Sequence, residues 1–501
     1  MALQIAMVLL PFAVLLIGFL VFKMSALKLS IYTWILEIII VFILYRMSPA
    51  KIIQASIWGN ISIWSGFLVL YTGQIFGQSF RSTGLLQTLL ITLGKLLPTK
   101  AGKAITLSTV VGGYVGAFNG FATYPITIPG LVELGISGAR AAVGYLVYFS
   151  WSIAFVSLFI AATIASSASG LPVAEIAHVM GLLTIAAVPV SVIGFFEILG
   201  FELKIKENAI LAILVCIGNI AGIVLFTQIF PSYYVLTLIA SSTFCLLLLY
   251  FYRTRLPKDA FQGSADTSTA IERGNVYKAF APLVVGAVIV VLWSTPIIAP
   301  IVNNFVFSVN LWGYAPTKIN FFTSPGFYIL VTAFTCYIFA TKKSNVWNDI
   351  KVASKRSSDS LLTLLVGGAM VYLMVDTGQI ALLARSLTQW GANVYSILLS
   401  GVSFLAGMAF GQGIPADFML SKMQVSAAKL LNVPLVVLVG IAALVTMGPA
   451  NPLKPSLLRY TSSLANIKGK DGEMFRMAIP WQVLQLIVIA ICSVLLVSSM
   501  K

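Results

Sequence analysis

Charge is the scarcest commodity in this sequence, and negative charge most of all. Of 501 residues only 9% are charged, 15 are Asp or Glu, and one is His. A soluble domain carries roughly 25% charged residues, so a soluble globular protein is excluded. The four cysteines, Cys216, Cys245, Cys336 and Cys492, are far apart and lie in apolar runs. That excludes a disulfide framework and a cysteine metal site. With one histidine and no clustered carboxylates, neither a metal set nor a nucleophile–base pair is in view, so no metal, no cofactor and no enzyme are expected. There is no Gly-x-x-x-x-Gly-Lys-[Ser/Thr] motif, and ATP-driven pumping lacks its phosphate cradle. Basic residues give a net charge of +16. They form no stripe interleaved with aromatics, so nucleic acid is not a partner.

What the chain has in abundance is apolar length, at 59% hydrophobic residues. About 20 apolar residues span a bilayer core of ~30 Å. Clear runs are 5–21, 31–44, 176–198, 210–230, 236–252, 279–292, 327–340, 433–447 and 481–497. With weaker runs the expectation is an all-α polytopic membrane protein of about 12 to 14 transmembrane helices. No Lys or Arg precedes Lys23, so the first run reads as a retained helix rather than a signal peptide. Basic residues gather between runs, at Arg253, Arg255 and Lys258, and again over 342–356. Cytoplasmic loops collect Lys and Arg, and anionic membrane lipid attracts them. The polar stretch 253–278 reads as a cytoplasmic connector between an N-terminal half, 1–252, and a C-terminal half, 279–501. The segment 303–324, with Trp312 and Tyr314, reads as an interfacial loop, and 342–356 as a basic cytoplasmic loop.

The two halves interrupt themselves at matching places. One interruption is 116–130, with Asn119, Gly120, Pro125 and Pro129; the other is 407–417, with Gln412, Gly413, Pro415 and Asp417. Each follows a Thr-Gly step, Thr83-Gly84 or Thr377-Gly378. Broken membrane helices are tolerated only where protein or a wet cavity satisfies the backbone. Paired breaks in two halves point to a secondary carrier's substrate site. Aligning the Thr-Gly steps is preferred over the letter-for-letter match of Thr72-Gly-Gln-Ile75 with Thr377-Gly-Gln-Ile380, which puts the breaks out of step.

An anion at such a site needs donors. Half-helix N-termini supply a positive dipole end, and Asn119, Thr123, Tyr124, Thr127 and Gln412 supply side chains. A further break is expected at 446–456, where three prolines in seven residues forbid a continuous helix. It offers Asn451, Lys454 and Ser456, with Lys454 as countercharge to a carboxylate and Arg459 as an alternative. Its counterpart in the first half offers Ser150 and Ser152. Among intramembrane carboxylates, which by default suggest function, Glu37 and Asp417 are candidates for proton coupling, although Asp417 could also cap a helix. Glu133 and Asp376 are further candidates, and Glu175 and Glu197 lie near the ends of the run 176–198. His178, three residues from Glu175, could relay protons.

These segments, in their order along the chain, resemble the L-lactate permease family. The likeness rests on Ser82-Thr-Gly-Leu-Leu, 116–135, Ala279-Phe-Ala-Pro-Leu through Leu292-Trp-Ser-Thr-Pro296, the second break, Pro455-Ser456, and Lys468-Gly-Lys-Asp-Gly-Glu-Met-Phe-Arg476. The resemblance implies import of L-lactate, glycolate or a similar 2-hydroxy-monocarboxylate with H+ (or Na+) across the plasma membrane. Homodimerisation is left open. The sequence departs from the family at both breaks: Val115-Gly-Ala-Phe-Asn-Gly-Phe121 lacks the family's acidic residue, and Gly411-Gln-Gly-Ile-Pro-Ala-Asp417 places its Asp later and has few hydroxyls. Phe149-Ser-Trp-Ser152 replaces an Asn-Thr-type motif. A carrier of another small organic anion (a sulfonate, dicarboxylate or amino acid) and an ion channel are the competing readings.

Overall fold

The computed structural model describes residues 2–22, 24–94, 96–200, 208–256, 276–293, 295, 297–410, 413–467 and 469–499. Most of the connector 253–278, and Gln412 with Gly411, lie outside the described residues. The described chain is almost wholly helical. Its one sheet is a hairpin of Phe307–Val309 against Thr317–Ile319, within the segment expected to be loop.

Among the described residues nine helices are long and apolar enough to cross a membrane, or up to eleven if two bent pairs each count as one span. Those pairs are Pro49–Ser62 with Trp64–Ser82, bent by 53°, and Gly138–Phe149 with Ile153–Ser169, bent by 59°. Gln4–Leu15 and Pro325–Ile338 are shorter apolar helices. Large apolar side chains point outward at helical spacing, as at Ile210, Ile213 and Ile217, or Leu484, Ile487, Ile491 and Leu495. Contiguous apolar stripes of this kind belong against lipid. The chain is an all-α polytopic membrane protein.

The Thr-Gly steps are matching helix stops. Trp64–Ser82 ends where Thr83 Oγ1 donates back to the Ser79 carbonyl (2.7 Å), and Gly84 turns left-handed at φ +78°. Val346–Asp376 ends where Thr377 Oγ1 donates to the Leu373 carbonyl (2.8 Å), and Gly378 sits at φ +75°. Each stop launches a ten-residue helix, Leu85–Gly94 or Gln379–Thr388. Glycine adopts this backbone without the Cβ penalty. A Cβ on Gly378 would meet nothing within 4 Å, whereas one on Gly84 would lie 2.5 Å from Thr341 Oγ1. Gly378→Ala is therefore expected to cost only the conformational term, about 1 kcal/mol, and Gly84→Ala more. Thermal unfolding in detergent that ranked the two the other way would contradict this.

The breaks are narrower than the prolines suggested. Gly112–Phe118 stops at Asn119, whose extended backbone (φ −155°, ψ 105°) caps the next helix, Gly120–Glu133. Pro125 and Pro129 lie inside that helix rather than in the break. In the second half Ala392–Ala409 stops at an extended Phe410, and Gly413–Leu431 follows. Pro415 falls in its first turn, where the missing N–H costs nothing. The pattern then repeats with a 3₁₀ turn: Gly138–Phe149, Ile153–Phe155 and Val156–Ser169 in the first half, and Leu435–Met447, Asn451–Leu453 and Pro455–Leu464 in the second. Equivalent parts are exchanged across the molecule. Val156–Ser169 packs on Gly413–Leu431, and Pro455–Leu464 packs on Gly120–Glu133. Val173–Leu199 packs on Leu435–Met447 and Asp471–Ser499 on Gly138–Phe149, and these two long helices pack on each other. The breaks from both halves thus meet at the centre. The basic segment 342–356 is corrected: from Val346 onward it forms the first turns of the helix Val346–Asp376 rather than a loop.

Candidate functional site

The meeting place of the breaks is hollow. A small inner chamber of about 70 Å³ is lined by Gly120 and Phe121, the first residues of one half-helix, and by Gly413 and Ile414, the first of the other. Helix N-termini present unpaired N–H groups and a positive dipole end. Val69, Ile153, Val156, Ile160 and Met447 supply apolar walls, and Gln74, Tyr124, Asn451 and Lys454 supply polar atoms. The chamber shares Leu70, Gln74, Asn119, Phe121, Asn451 and Lys454 with a wider cavity of about 590 Å³. That outer cavity adds Gln78, Arg81, Arg356, Asp359 and Ser456 to the lining.

Lys454 is the central charge. Its side chain is 5% exposed and faces both cavities. Among the described residues no carboxylate lies within ion-pair distance of it. It stands at the N-terminus of Pro455–Leu464, where the following Pro455 disfavours helical backbone for the residue before it and presents the lysine as an extended residue (φ −63°, ψ 123°). A Cβ at Gly413 would be 3.2 Å from its Nζ, so the glycine lets the ammonium approach the start of the half-helix. Asn451 Nδ2 donates to Tyr124 Oη (3.2 Å), tying the two halves together beside it.

Other expected donors are spent elsewhere. Asn119 lines both cavities, but its carboxamide donates to the Gly73 carbonyl and accepts from the Phe121 N–H (3.0 Å), so it builds the break. Thr123 donates to the Gly120 carbonyl (2.7 Å) and lines neither cavity. Ser150 donates to Gln485 Oε1 (2.9 Å) in a network completed by Ser191, and Ser152 donates to the Phe149 carbonyl (2.8 Å). Neither reaches a cavity. Gly120, Tyr124, Gly413, Asn451, Lys454 and Ser456 do line them. Gln412 is outside the described residues.

Asp417 is fully buried on the fifth position of Gly413–Leu431, one turn behind the chamber, and is inside the helix rather than its cap. Its Oδ1 accepts from Ser421 (3.2 Å) and its Oδ2 has no partner. Glu37 is buried away from both cavities. Its Oε1 accepts from Gln379 Nε2 (2.6 Å), and its Oε2 is unpaired. His178 pairs with the Thr227 carbonyl through Nδ1 (3.0 Å), on the π-helical turn Val224–Ile229, rather than with Glu175.

Sequence reasoning missed Gln74, Arg81 and Arg356. Gln74 sat in the Thr72-Gly-Gln-Ile75 match set aside for its register, and Arg81 is the lone charge of the helix Trp64–Ser82 that runs into the first Thr-Gly stop. Three consecutive left-handed residues, Ser157, Leu158 and Phe159 (φ 51°, 54° and 69°), were also invisible. Each costs roughly 1–2 kcal/mol of backbone strain, and such strain gathers at functional sites. Here it lies where Val156 and Ser157 wall the chamber.

The family model described as L-lactate permease matches residues 4–500. The chain belongs to the L-lactate permease family. That family is one of transporters and not of enzymes, and the permease is a multi-pass membrane protein. No curated protein matches it by sequence. Two solved structures are similar to the permease at 12% identity. One is the YdaH transporter of Alcanivorax borkumensis, with a TM-score of 0.44 over 94% of this chain and 98% of that one. The other is MtrF of Neisseria gonorrhoeae, described as one of a class of antimetabolite efflux pumps, with a TM-score of 0.39 over 90% of this chain and 85% of that one.

Proposed function

We propose that the permease moves a short 2-hydroxy-monocarboxylate, L-lactate or glycolate, together with H+ across the plasma membrane by alternating access at the inner chamber. The observation that carries this reading is Lys454, a buried ammonium without an acid partner among the described residues, between two helix N-termini. A charge buried without compensation is costly, and an arriving carboxylate supplies the compensation. The apolar walls suit a two- or three-carbon anion, and Asn451, Tyr124 and Gln74 are within the lining to meet its hydroxyl. The outer cavity opens beside Arg81 and Arg356, next to the basic segment that the positive-inside rule places in the cytoplasm, so we read this conformation as cytoplasm-facing.

Asp417 is assigned the proton. It is buried, it holds one unpaired oxygen, and its helix begins at the chamber wall, so substrate bound there shifts the element that carries it. Glu37 is the secondary candidate. Substrate class and coupling are tested by uptake of labelled L-lactate into proteoliposomes, with and without an inward pH gradient, and with a competing panel of sulfonates, dicarboxylates and amino acids. Saturable, gradient-driven uptake inhibited best by short hydroxy acids is expected. Stronger inhibition by another class would reassign the substrate. Asp417→Asn is expected to abolish gradient-driven accumulation while lactate counterflow persists. Accumulation at the wild-type level in this variant, with loss in Glu37→Gln, would move the coupling to Glu37.

A further inference from the structure

The outer cavity holds more positive charge than one anchoring lysine supplies. Arg81 and Arg356 both line it, with Asp359 as the carboxylate in that lining. Both arginines are exposed to the cavity, and among the described residues neither makes an ion pair with any acid, Asp359 included. Arg356 is nevertheless fixed. Its Nη1 donates to Gln78 Oε1 (2.8 Å), and Gln78 Nε2 donates to Asp349 Oδ1 (3.0 Å). Asp349 is buried, and its other oxygen accepts from Ser82 (2.5 Å), Ser344 (2.7 Å) and Tyr337 (2.8 Å). With both ends of its amide engaged, Gln78 holds the guanidinium at the cavity wall. The buried acid is thereby spent on orienting the arginine rather than on neutralising it.

We infer that Arg81 and Arg356 form an anion-capture subsite at the mouth, which takes the carboxylate of a small organic anion and passes it inward to Lys454. This rests on the anion-permease reading. Guanidinium is planar, permanently charged and weakly hydrated, and it binds a carboxylate through two parallel N–H donors. An exposed pair binds weakly enough to release its anion, as a transport path requires. Like charges lining a concave wall also raise the local concentration of counter-ion.

The test reads electrostatics in the cavity without depending on transport. Ser360, which lines the outer cavity, is replaced by cysteine in a variant whose four native cysteines are alanine. Reaction rates are compared at low ionic strength for a sulfonate-bearing and a trimethylammonium-bearing methanethiosulfonate. The anionic reagent is expected to react faster. The double variant R81Q/R356Q should lower the anion-to-cation rate ratio by about tenfold, and R81K/R356K should restore it. Added salt should erode the wild-type preference, because mobile ions screen exposed charge. An unchanged ratio in R81Q/R356Q, or a ratio lost equally in the lysine variant, overturns the capture subsite. Failure of the wild-type protein to take up lactate would instead overturn the substrate reading, and the labelling ratio stands apart from it.

Discussion

Lys454→Met is expected to abolish carboxylate uptake while leaving the protein at least as stable as the wild type. The two halves of this expectation have one cause. A lysine at the middle of a membrane helix costs about 2.5–3.5 kcal/mol to insert, and here no acid within ion-pair distance offsets it among the described residues. Methionine has a similar length, lacks the charge and packs against apolar neighbours such as Met447 and Ile414, which line the same chamber. The folded state therefore loses a burden. The substrate loses its countercharge, and removing one member of a buried charge pair costs about 2–5 kcal/mol, or at least about thirtyfold in affinity at the rate of tenfold per 1.4 kcal/mol. Uptake of labelled L-lactate and the thermal midpoint in detergent check both. Normal uptake would remove Lys454 from the site. A large drop in the midpoint would make it a structural residue satisfied in the empty protein.

The second large effect concerns a residue that touches no substrate. Gly407 lies near the end of Ala392–Ala409, where a Cβ would overlap the Thr446 carbonyl oxygen and stand 2.6 Å from Ala450 Cβ. Small residues let membrane helices approach this closely. The obstacle is backbone, which cannot rotate away, so Gly407→Ala must push apart the helix pair that carries both second-half breaks. Overpacking of this kind costs about 1–3 kcal/mol and occasionally more, and it shifts the 446–454 segment that presents Lys454. Both the thermal midpoint and the lactate uptake rate should fall sharply. Gly401 on the same helix is the control: a Cβ there meets nothing within 4 Å, and alanine gains about 1 kcal/mol of helix propensity. Gly401→Ala should match or exceed the wild-type midpoint. Equal behaviour of the two variants would refute the close approach.

Much of this was legible along the chain. The apolar runs gave the polytopic class, because span length is a property of the bilayer. The Thr-Gly steps, Asn119 and the prolines before Lys454 marked places where the backbone must leave the helix, and those are local constraints. Local chemistry could not say where the freed groups turn. Pro125 and Pro129 read as interruption, yet neighbouring helices let Gly120–Glu133 continue through them. Ser150 and Ser152 occupy the right position in the repeat, but hydroxyls bond to whatever is nearest, and packing of Asp471–Ser499 placed Gln485 there first. Arg81 and Arg356 are 275 positions apart as numbered and share a cavity because Val346–Asp376 packs on Trp64–Ser82. The sequence alone determined that this is a membrane protein with two broken halves and a lysine held out of helix. Only the tertiary structure decided which donors stay unspent, since that depends on contacts between segments distant in the chain.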